Sequence, residues 1–577
     1  MIRKLITIVA AIVLSVGLGA NGTQAAGAAK PNIVLITVDS ARADRVGFTG
    51  GRNSLTPNLD RLAVGSIVFE HAYAQAPGMV VSHATILTGA YPQSTGFTEI
   101  GGVLPSSLPF LPDLLKGQGY RTAAFVGSIA LDPRNGLAQG FERGFQSYDA
   151  GFRPVIPGDS RPPVTERTAS EVVARAIAWL GHNAQAQNAQ GPFFLWVHIS
   201  NAEAAVAGYN TAISAADGAI GKLVAALKQQ KLDSSTAVIV VGDHGQSLGA
   251  HGEETHAIFL YDETIHVALL VRLPEAQASG KRVTTKVRLV DIAPTVLEIA
   301  GGAVPSQMQG QSLLRIAKAG GGADQPVYSR GDLSQRGFGW SPLEAWRAGK
   351  YLYIRAPRPE LYDMTADPGA THNLAQSSKA TLDTMAAQLE SFDRRFSGEA
   401  GKSATELSST EMQKLASLGY VGLQKSAGSS AAVAGTDPKD KIAIANKVIE
   451  AAGAGLIAEA KPDRALAALE PVVSADSSLY LAEYALGVAL AEKGQFAEAA
   501  RHLHKAIELQ PDSGWAHYEI GVALLKTGDF KTAAVHLEIA TSRLPGFAAA
   551  HAALTQAYGK LGRGDDAKRE QGKSGHE

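Results

Sequence analysis

Beyond its N-terminal segment, the chain alternates short, continuous apolar runs with longer segments of helical periodicity. The apolar runs cover residues 32–38, 192–198 and 236–241, and the helical segments include residues 169–180 and 215–227. Continuous apolar runs of this length are typical of strands that are buried on both faces, as in a parallel sheet covered by helices. The pattern therefore predicts an α/β domain built on a parallel sheet.

The N-terminal segment has a different pattern. Arg3 and Lys4 precede an apolar run over residues 5–18, and small and polar residues follow as far as Ala26. A basic start, a short apolar core and a small-residue exit predict a secretory signal peptide over residues 1–25. The alternative is an uncleaved membrane anchor, but roughly 14 apolar residues fall short of the ~20 that a spanning helix needs. We therefore expect a periplasmic or secreted protein without stable membrane insertion.

A change of composition divides the rest of the chain. Ser, Gly and Ala dominate residues 396–440, including the run 426–430, which predicts a linker. The predicted α/β domain then covers residues 30–395, and a separate C-terminal domain covers residues 441–570.

The C-terminal domain repeats with a period of 34 residues. Small, aromatic and proline residues recur at this spacing: Gly487 and Gly521; Gly494, Gly528 and Gly562; Phe496 and Phe530; Ala499 and Ala533; Pro511 and Pro545. The pattern resembles tetratricopeptide repeats, with residues 462–469 as the end of an earlier, degenerate copy. The alternative is an Ala-rich helical bundle without repeats. Stacked repeats present a concave surface and typically bind a protein partner.

Charge and cysteine content exclude several classes of function. The chain has 577 residues, and its 53 basic and 54 acidic residues give a net charge of −1. Nucleic-acid binding is not expected, because it needs clustered positive charge. The chain contains no cysteine, which excludes disulfides, thiolate zinc sites, a cysteine nucleophile and a lipidated-cysteine anchor.

Polar residues follow two of the predicted strands directly. Asp39 and Ser40 come after the first strand, and Asp243 and His244 come after the third. The carboxyl ends of parallel strands meet at one edge of a sheet, where sites commonly form. Two carboxylates and an imidazole are suitable ligands for a divalent cation, which can polarise an ester oxygen. The alternative is a capping aspartate beside a surface histidine.

Further motifs extend this pattern along the chain. They cover residues 56–63, 82–89, 91–92, 248–252, 259–264, 291–295, 339–343, 361–363, 367–369 and 418–422. In this order they resemble the sulfatases, a family of the alkaline phosphatase superfamily. The combination with C-terminal tetratricopeptide repeats resembles a bacterial subgroup of sulfatase-like proteins.

The resemblance implies an alkaline phosphatase-like parallel-sheet domain with a single divalent cation, for which calcium is the expected ion. Asp39, Asp243 and His244 match metal-ligand positions of the family. Ser40 stands where the family has a second metal-binding aspartate, and a neutral hydroxyl is tolerated there in some of the superfamily. The implied substrate is a sulfated or phosphorylated small molecule or glycan.

The resemblance also assigns three histidines to the catalytic site. His83 stands where sulfatases have an arginine beside the nucleophile, and His256 stands where they have a lysine. His198 ends the second predicted strand and matches a histidine near the sulfate oxygens. The alternative for each is a solvated or hydrogen-bonded histidine without a catalytic role.

The nucleophile position departs from the family pattern. In sulfatases the nucleophile lies nine residues before the threonine that corresponds to Thr88, and this chain has Met79 there. A thioether has no ionisable proton and cannot attack an ester as an oxyanion. Ser82, one helical turn later, is a candidate for a relocated nucleophile, and the alternative is that it only starts a helix. Residues 201–203 also lack the family's Asp-Pro-His.

These observations support two main hypotheses. The first is a sulfatase-like, metal-dependent hydrolase of sulfate or phosphate esters with an eroded active site. The second is a non-catalytic sulfatase-like binding or scaffolding protein that acts through its repeats. In a weaker variant, the repeats recruit the domain to a periplasmic complex whose substrate is processed elsewhere.

Overall fold

The structure is a computed structural model of the chain. It describes residues 30–51, 55–98, 101–135, 137–152, 165–185, 191–200, 208–276, 280–319, 324–396, 409–417, 435–452 and 461–574. The predicted signal peptide over residues 1–25, the departure at 201–203, the motif at 418–422 and the polar run at 426–430 lie outside the described residues.

Strands and helices alternate through the first domain. The strands are β1 (Asn32–Val38), β2 (Ile67–Tyr73), β3 (Gly102–Val103), β4 (Arg121–Val126), β5 (Ala138–Gln139), β6 (Ser147–Asp149), β7 (Phe193–Ile199), β8 (Thr236–Gly242), β9 (His266–Arg272), β10 (Lys281–Val283), β11 (Val287–Arg288), β12 (Val327–Gly331), β13 (Leu343–Ala348), β14 (Tyr351–Arg355) and β15 (Glu360–Asp363). Its helices are α1 (Pro57–Val64), α2 (Met79–Thr88), α3 (Pro92–Thr95), α4 (Leu111–Gly117), α5 (Ala169–Gln185), α6 (Tyr209–Gln229), α7 (Asp262–Ile265), α8 (Ile292–Ile299), α9 (Leu313–Lys318), α10 (Leu333–Phe338) and α11 (Lys379–Phe396).

The main sheet has the strand order β10-β2-β9-β8-β1-β7-β4-β6, with β11 also paired to β2. The three predicted strands are β1, β7 and β8, and they lie side by side and parallel at its centre. The sheet is mixed rather than purely parallel, because β9 runs antiparallel to both β8 and β2. A parallel neighbour needs a long crossover, usually through a helix. The β8–β9 connection contains a loop with a 3-10 turn at Ala250–Gly252 and the four-residue helix α7, but no helix long enough to cross the face of the sheet.

Both faces of the main sheet are buried, as the continuous apolar runs predict. Along β1, Ile33 and Leu35 belong to one core cluster, while Val34, Ile36 and Val38 belong to the other. Helices α1, α5 and α6 supply apolar residues to the second cluster, and α2, α4 and α8 supply residues to the first. The carboxyl edge of the central strands is therefore held between two helical layers.

A second sheet, which the sequence analysis did not predict, follows the main one. Its order is β12-β13-β14-β15, and all its pairs are antiparallel. Helix α11 packs on it through Leu382, Met385 and Leu389. These strands are short and none has the long apolar run that identifies a central strand.

The C-terminal part of the chain is helical. After α12 (Ser409–Ser417), its helices are α13 (Ile442–Ala452), α14 (Pro462–Ala475), α15 (Tyr480–Glu492), α16 (Phe496–Leu509), α17 (Gly514–Thr527), α18 (Phe530–Arg543), α19 (Ala548–Lys560) and α20 (Gly564–Ser574). The periodic glycines explain the pairing. A Cβ at Gly487 would lie 2.6 Å from the Leu503 side chain, and one at Gly521 would lie 2.6 Å from Leu537. Only glycine allows these close helix crossings.

Helix α12 lies within the interval that the composition predicts to be a linker. Its Glu411 carboxylate accepts two hydrogen bonds from the Arg543 guanidinium, at 2.8 and 2.7 Å, at the end of α18. The interval 396–440 is therefore not a plain linker, since part of it packs on the repeats. Within the described ranges, no helix is both long and apolar enough to cross a membrane.

One polar pair recurs between the two helices of three successive repeats. The pairs are Glu483 with His502, His517 with His536, and His551 with Glu570. Each position of the pair recurs 34 residues later in the next repeat. The first and third are carboxylate–imidazole pairs, at 2.7 and 2.6 Å. The central pair joins the Nδ1 atoms of two buried histidines at 2.9 Å. His517 Nε2 donates to the Pro511 carbonyl, so its Nδ1 accepts from His536.

We expect this central pair to make the repeats sensitive to acid. Burial lowers the pKa of His517 to about 4, with Arg543 also lowering it and Glu411 raising it. Burial lowers the pKa of His536 as well, and His517 and His504 add to the shift. The unfolded chain therefore binds more protons than the folded chain between about pH 6.5 and 4, and stability falls as the pH falls through this window.

At pH 5, the titration of His517 is expected to lower the free energy of unfolding by about 2 kcal/mol. This corresponds to a roughly 30-fold decrease in the amide protection of α17 and α18. His536→Glu restores the carboxylate–imidazole pair of the neighbouring repeats and should reduce the loss. Hydrogen exchange at pH 7 and pH 5 measures the amide protection of the wild type and of His536→Glu. His372→Gln, on the exposed surface, is the control. An equal loss in the wild type and His536→Glu would contradict the assignment.

Candidate active site

The carboxyl edge of the main sheet brings the predicted site residues together. Val38 of β1 pairs with Gly242 of β8, so Asp39 and Asp243 leave neighbouring strands at the same level. His198 of β7 pairs with Thr37, two residues before Asp39. Among the residues that the structure describes, two sets of potential ligand atoms each lie within 4.8 Å of one another. The sets are Asp39, Asp243 and His244, and His83, His198 and Asp243.

The first set has the donor arrangement of a cation site. His244 Nδ1 donates to the Gly245 carbonyl at 2.8 Å, which leaves the lone pair of neutral His244 on Nε2. This atom lies 3.3 Å from Asp39 Oδ1 and 3.8 Å from Asp243 Oδ1, which are acceptors as well. Asp243 Oδ2 and His244 Nε2 are buried without a hydrogen-bond partner. A proton or a metal ion is needed between these groups.

The ionisation of these groups reflects the same conflict. Burial and, to a smaller extent, the nearby Asp39 raise the pKa of Asp243 to about 7, against the opposing effect of His244. Burial lowers the pKa of His244, but the carboxylates of Asp243 and Asp39 outweigh it and raise this pKa overall. Carboxylate oxygens and one imidazole nitrogen fit a divalent cation, which would replace the missing positive charge.

Ser40 connects the two carboxylates. Its N–H donates to Asp243 Oδ1 at 3.1 Å, and its hydroxyl donates to Asp39 Oδ1 at 2.9 Å. Ser40 has a left-handed backbone with φ 57°, which the Tyr209 hydroxyl stabilises by donating to the Ser40 carbonyl at 2.7 Å. Non-glycine residues adopt this conformation only where the surroundings enforce it, as at functional sites. The hydroxyl predicted as a ligand thus lies beside the cation site.

His83 lies beside the cation site and links α2 to β1. Its Nδ1 donates to the Met79 carbonyl at 2.8 Å, and its Nε2 lies 2.9 Å from Thr37 Oγ1. Trp196 Nε1 donates to the same Thr37 oxygen at 3.0 Å. Burial lowers the pKa of His83 to about 3, so the side chain is neutral at physiological pH. It therefore supplies no positive charge to the candidate site.

His198 offers a hydrogen-bond donor to the site. The Gly127 N–H donates to its Nδ1 at 3.3 Å, so the neutral ring carries its proton on Nε2. This Nε2 is buried and has no hydrogen-bond partner. Its ring lies edge-on to His83, with centroids 4.9 Å apart. Burial lowers the pKa of His198 well below its usual value, so a single N–H remains available for a ligand oxygen.

His256 packs against His244 of the candidate cation site. Its ring centroid is 4.5 Å from that of His244, and its Nδ1 lies 2.7 Å from Gln246 Oε1. Because the Gln246 oxygen only accepts, His256 Nδ1 is the donor and Nε2 carries the lone pair. Burial lowers the pKa of His256 well below its usual value. The His256 side chain is therefore also neutral at physiological pH.

Helix α2 begins at Met79, beside these histidines. The preceding residue, Gly78, has no side chain to cap the first turn, so the N–H groups there are available to an anion. Met79 is half-buried, and its side chain packs on the core. Ser82 is fully buried, and its hydroxyl donates to the Ala76 carbonyl at 3.1 Å. Ser82 therefore lies one turn inside the helix rather than at its start, and the hydrogen bond to Ala76 does not favour a relocated nucleophile.

The sequence analysis missed several polar residues around the site. Thr37, Trp196 and Gln246 orient the histidines, as described above. Glu166 is another buried group: its Oε1 accepts from the Ser128 hydroxyl at 2.7 Å, and its Oε2 has no partner. Burial raises the pKa of Glu166 to about 8, and Asp39 contributes. A polar threonine inside an apolar run could have drawn attention to position 37.

Comparisons with known proteins agree with this architecture. The family model described as Sulfatase matches residues 31–303. A second model, for the C-terminal part of N-sulphoglucosamine sulphohydrolase, matches residues 252–395. A model for a TPR repeat matches residues 487–528. An ulvan-active sulfatase of Formosa agariphila is 26% identical over 415 residues, 63% of this chain and 80% of that protein. Human N-acetylgalactosamine-6-sulfatase is 26% identical over 431 residues, with the same coverage of both chains.

Solved structures show the same fold at lower identity. The phosphonate monoester hydrolase of Agrobacterium radiobacter is 19% identical with a TM-score of 0.53, covering 63% of this chain and 96% of that one. A protein in complex with its substrate D-glucosamine-2-N,6-O-disulfate is 19% identical with a TM-score of 0.52, covering 65% and 99%. With the sulfatase models spanning residues 31 to 395, the chain belongs to the sulfatase family and carries tetratricopeptide repeats at its C-terminal end.

Proposed function

We propose that this protein is a divalent-cation-dependent hydrolase of sulfate esters whose active site has eroded. The pocket keeps the sites for the cation and the sulfate group and lacks the nucleophile. The observation that carries this proposal is the convergence of the His244 Nε2 lone pair with Asp39 and Asp243, at 3.3 and 3.8 Å. In this donor set a cation would supply the charge that stabilises ester oxygens.

The anion site of the proposal is formed by the chain itself. The uncapped N-terminus of α2 favours a negatively charged group through its free N–H groups and its dipole. The His198 Nε2–H is a buried donor without a partner. A sulfate group between them would satisfy both. His83 and His256 are neutral, so we expect weaker sulfate binding than a site with an arginine and a lysine in these positions gives.

Calcium and a sulfated saccharide are the proposed ligands. Carboxylate and hydroxyl oxygens from Asp39, Asp243 and Ser40 are hard ligands that suit Ca²⁺, and one imidazole completes the set. The matched relatives act on ulvan and on N-acetylgalactosamine 6-sulfate by name. These names support a sulfated glycan as ligand. A protein partner of the repeats is a further part of the proposal.

The same observations favour a second candidate, a non-catalytic binding or scaffolding protein. Met79 at the start of α2 is the reason, because its thioether cannot attack an ester. Both candidates require ligand binding, and they differ in turnover. A residual turnover that depends on the cation supports the hydrolase, and its complete absence supports the binding protein.

We expect calorimetry to detect binding of N-acetylgalactosamine 6-sulfate to the calcium-loaded protein and no binding after chelation. The same preparation is assayed for bound metal and for turnover of aryl sulfate and phosphate diester substrates. A metal-free protein that binds sulfate esters as well as the loaded protein would contradict the proposed role of the cation. Failure to bind any sulfate ester would contradict the proposed function itself.

A further inference from the structure

The repeat domain contacts the loop that leads out of the candidate site. We call residues 247–257 the site loop, because it follows His244 and carries His251 and His256. Asn446 of α13 donates from Nδ2 to the Gly252 carbonyl at 2.8 Å, and its Oδ1 accepts from the Glu254 N–H at 3.1 Å. A carbonyl can only accept and an N–H can only donate, so these partners fix the orientation of the amide.

A second, indirect contact links the segment just before the repeat domain to the site loop. Lys439, in the turn before α13, donates to one carboxylate oxygen of Glu360, whose other oxygen accepts from the Tyr261 hydroxyl at 2.8 Å. The Tyr261 ring stacks on His251, with centroids 3.7 Å apart and an angle of 17°. Helix α13 thus contacts the site loop directly, and the segment before it supports the loop indirectly, through Glu360 and Tyr261.

The backbone of the site loop needs such support. Leu248, His251 and Ala257 have φ of 55°, 54° and 88°, the left-handed region that non-glycine residues avoid. Residues in this region persist where surrounding contacts hold them, and each costs on the order of 1 kcal/mol or more. Gly252, which accepts from Asn446, also lies close to α13: a Cβ there would be 3.4 Å from an Ile442 methyl group.

The position of the site loop is linked to the candidate site. Thr255 accepts from the Ser247 N–H at 2.6 Å, which closes the loop just before His256. His256 in turn packs on His244 at 4.5 Å and donates to Gln246 at 2.7 Å. A displacement of residues 252–254 would therefore move His256 relative to the cation site.

We propose that Asn446 is a positioning residue of the active site, through which helix α13 holds the site loop and His256 in place. The repeat domain then completes the pocket of its own chain, whatever partner it also binds. The effect on ligand binding rests on the proposed function, whereas the effect on the site loop does not.

Three variants test the proposal in the full-length, calcium-loaded protein. Asn446→Ala removes both hydrogen bonds, and Asn446→Asp keeps the acceptor for Glu254 and loses the donor to Gly252. Glu450→Ala, at an exposed position of the same helix, is the matched control. Hydrogen exchange of residues 250–256 reports the loop, calorimetry with N-acetylgalactosamine 6-sulfate reports the pocket, and thermal unfolding reports overall stability.

We expect Asn446→Ala to speed amide exchange in the site loop by about 10-fold and to weaken ligand binding by a similar factor, with little change in melting temperature. Asn446→Asp should lie between Asn446→Ala and the control. A purely structural role would lower the melting temperature without this graded effect on binding.

Two outcomes overturn the proposal. The first is loop exchange in Asn446→Ala that equals the control, and the second is faster exchange with unchanged ligand affinity. If exchange becomes faster but the wild-type protein binds no sulfate ester, the proposed function fails while the role of Asn446 in holding the loop stands.

Discussion

Replacing Asp243 by asparagine is expected to abolish high-affinity cation binding and, with it, sulfate-ester binding. Asparagine keeps the shape of the side chain and an oxygen that can accept from the Ser40 and His244 N–H groups, now at 3.1 and 2.7 Å. It removes the negative charge beside His244 Nε2. We expect cation affinity to fall by at least about 100-fold, since loss of a mere supporting residue of a metal site already costs 10–100-fold.

The stability of the metal-free protein should not fall in the same variant. Asp243 is a fully buried carboxyl with one oxygen unpartnered, and a buried charge of this kind costs free energy in the folded state. The control is Asp233→Ala, in the turn just before the first residue of β8 and therefore at the end of the strand away from the site. Calorimetric calcium titration and thermal unfolding with and without chelator measure both effects. Wild-type cation affinity in Asp243→Asn would show that the cation, if any, binds elsewhere.

The edge of the sheet that carries Asp243 could be predicted from the sequence for a simple reason. Central strands are buried on both faces, so their apolar runs are continuous and end abruptly where polar residues such as Asp39 and Asp243 begin. Parallel strands then bring these ends together. The direction of β9 could not be predicted in this way, because it depends on the absence of a long crossover helix between β8 and β9 rather than on the residues of β9 itself.

The charge states within the site could not be predicted in this way. The sequence identifies His83 as a candidate catalytic residue, but its partners Thr37 and Trp196 lie 46 and 113 residues away in the chain. Together with burial, they make it a neutral link between helix and strand. The contact of Asn446 with Gly252 spans 194 residues and joins two domains. Such contacts depend on packing, for which a single sequence has no periodic pattern.

Met79→Ser is expected to raise turnover of an aryl sulfate by about 100-fold while leaving affinity for a sulfate ester nearly unchanged. The position is the first residue of α2, where the helix N-terminus favours a developing oxyanion. The His83 contact in this turn is with the Met79 backbone carbonyl, at 2.8 Å, so the substitution leaves it in place. Loss of a nucleophile can cost about 10⁶-fold, and the neutral His83 and His256 limit how much returns.

Met79→Ala is the matched control for this gain, because it removes the thioether and adds no hydroxyl. Ser82→Ala tests the other hydroxyl in the same turn, which donates to the Ala76 carbonyl and should not contribute to turnover. A rise in Met79→Ser alone would mean that the pocket lacks little besides its nucleophile. Equal turnover in Met79→Ser and Met79→Ala would mean that erosion extends beyond position 79, since a hydroxyl at the helix N-terminus is then insufficient. In that case the next substitutions to test are His83→Arg and His256→Lys. Both histidines are neutral, and the substitutions would supply two positive charges that hold the sulfate against the attacking oxygen.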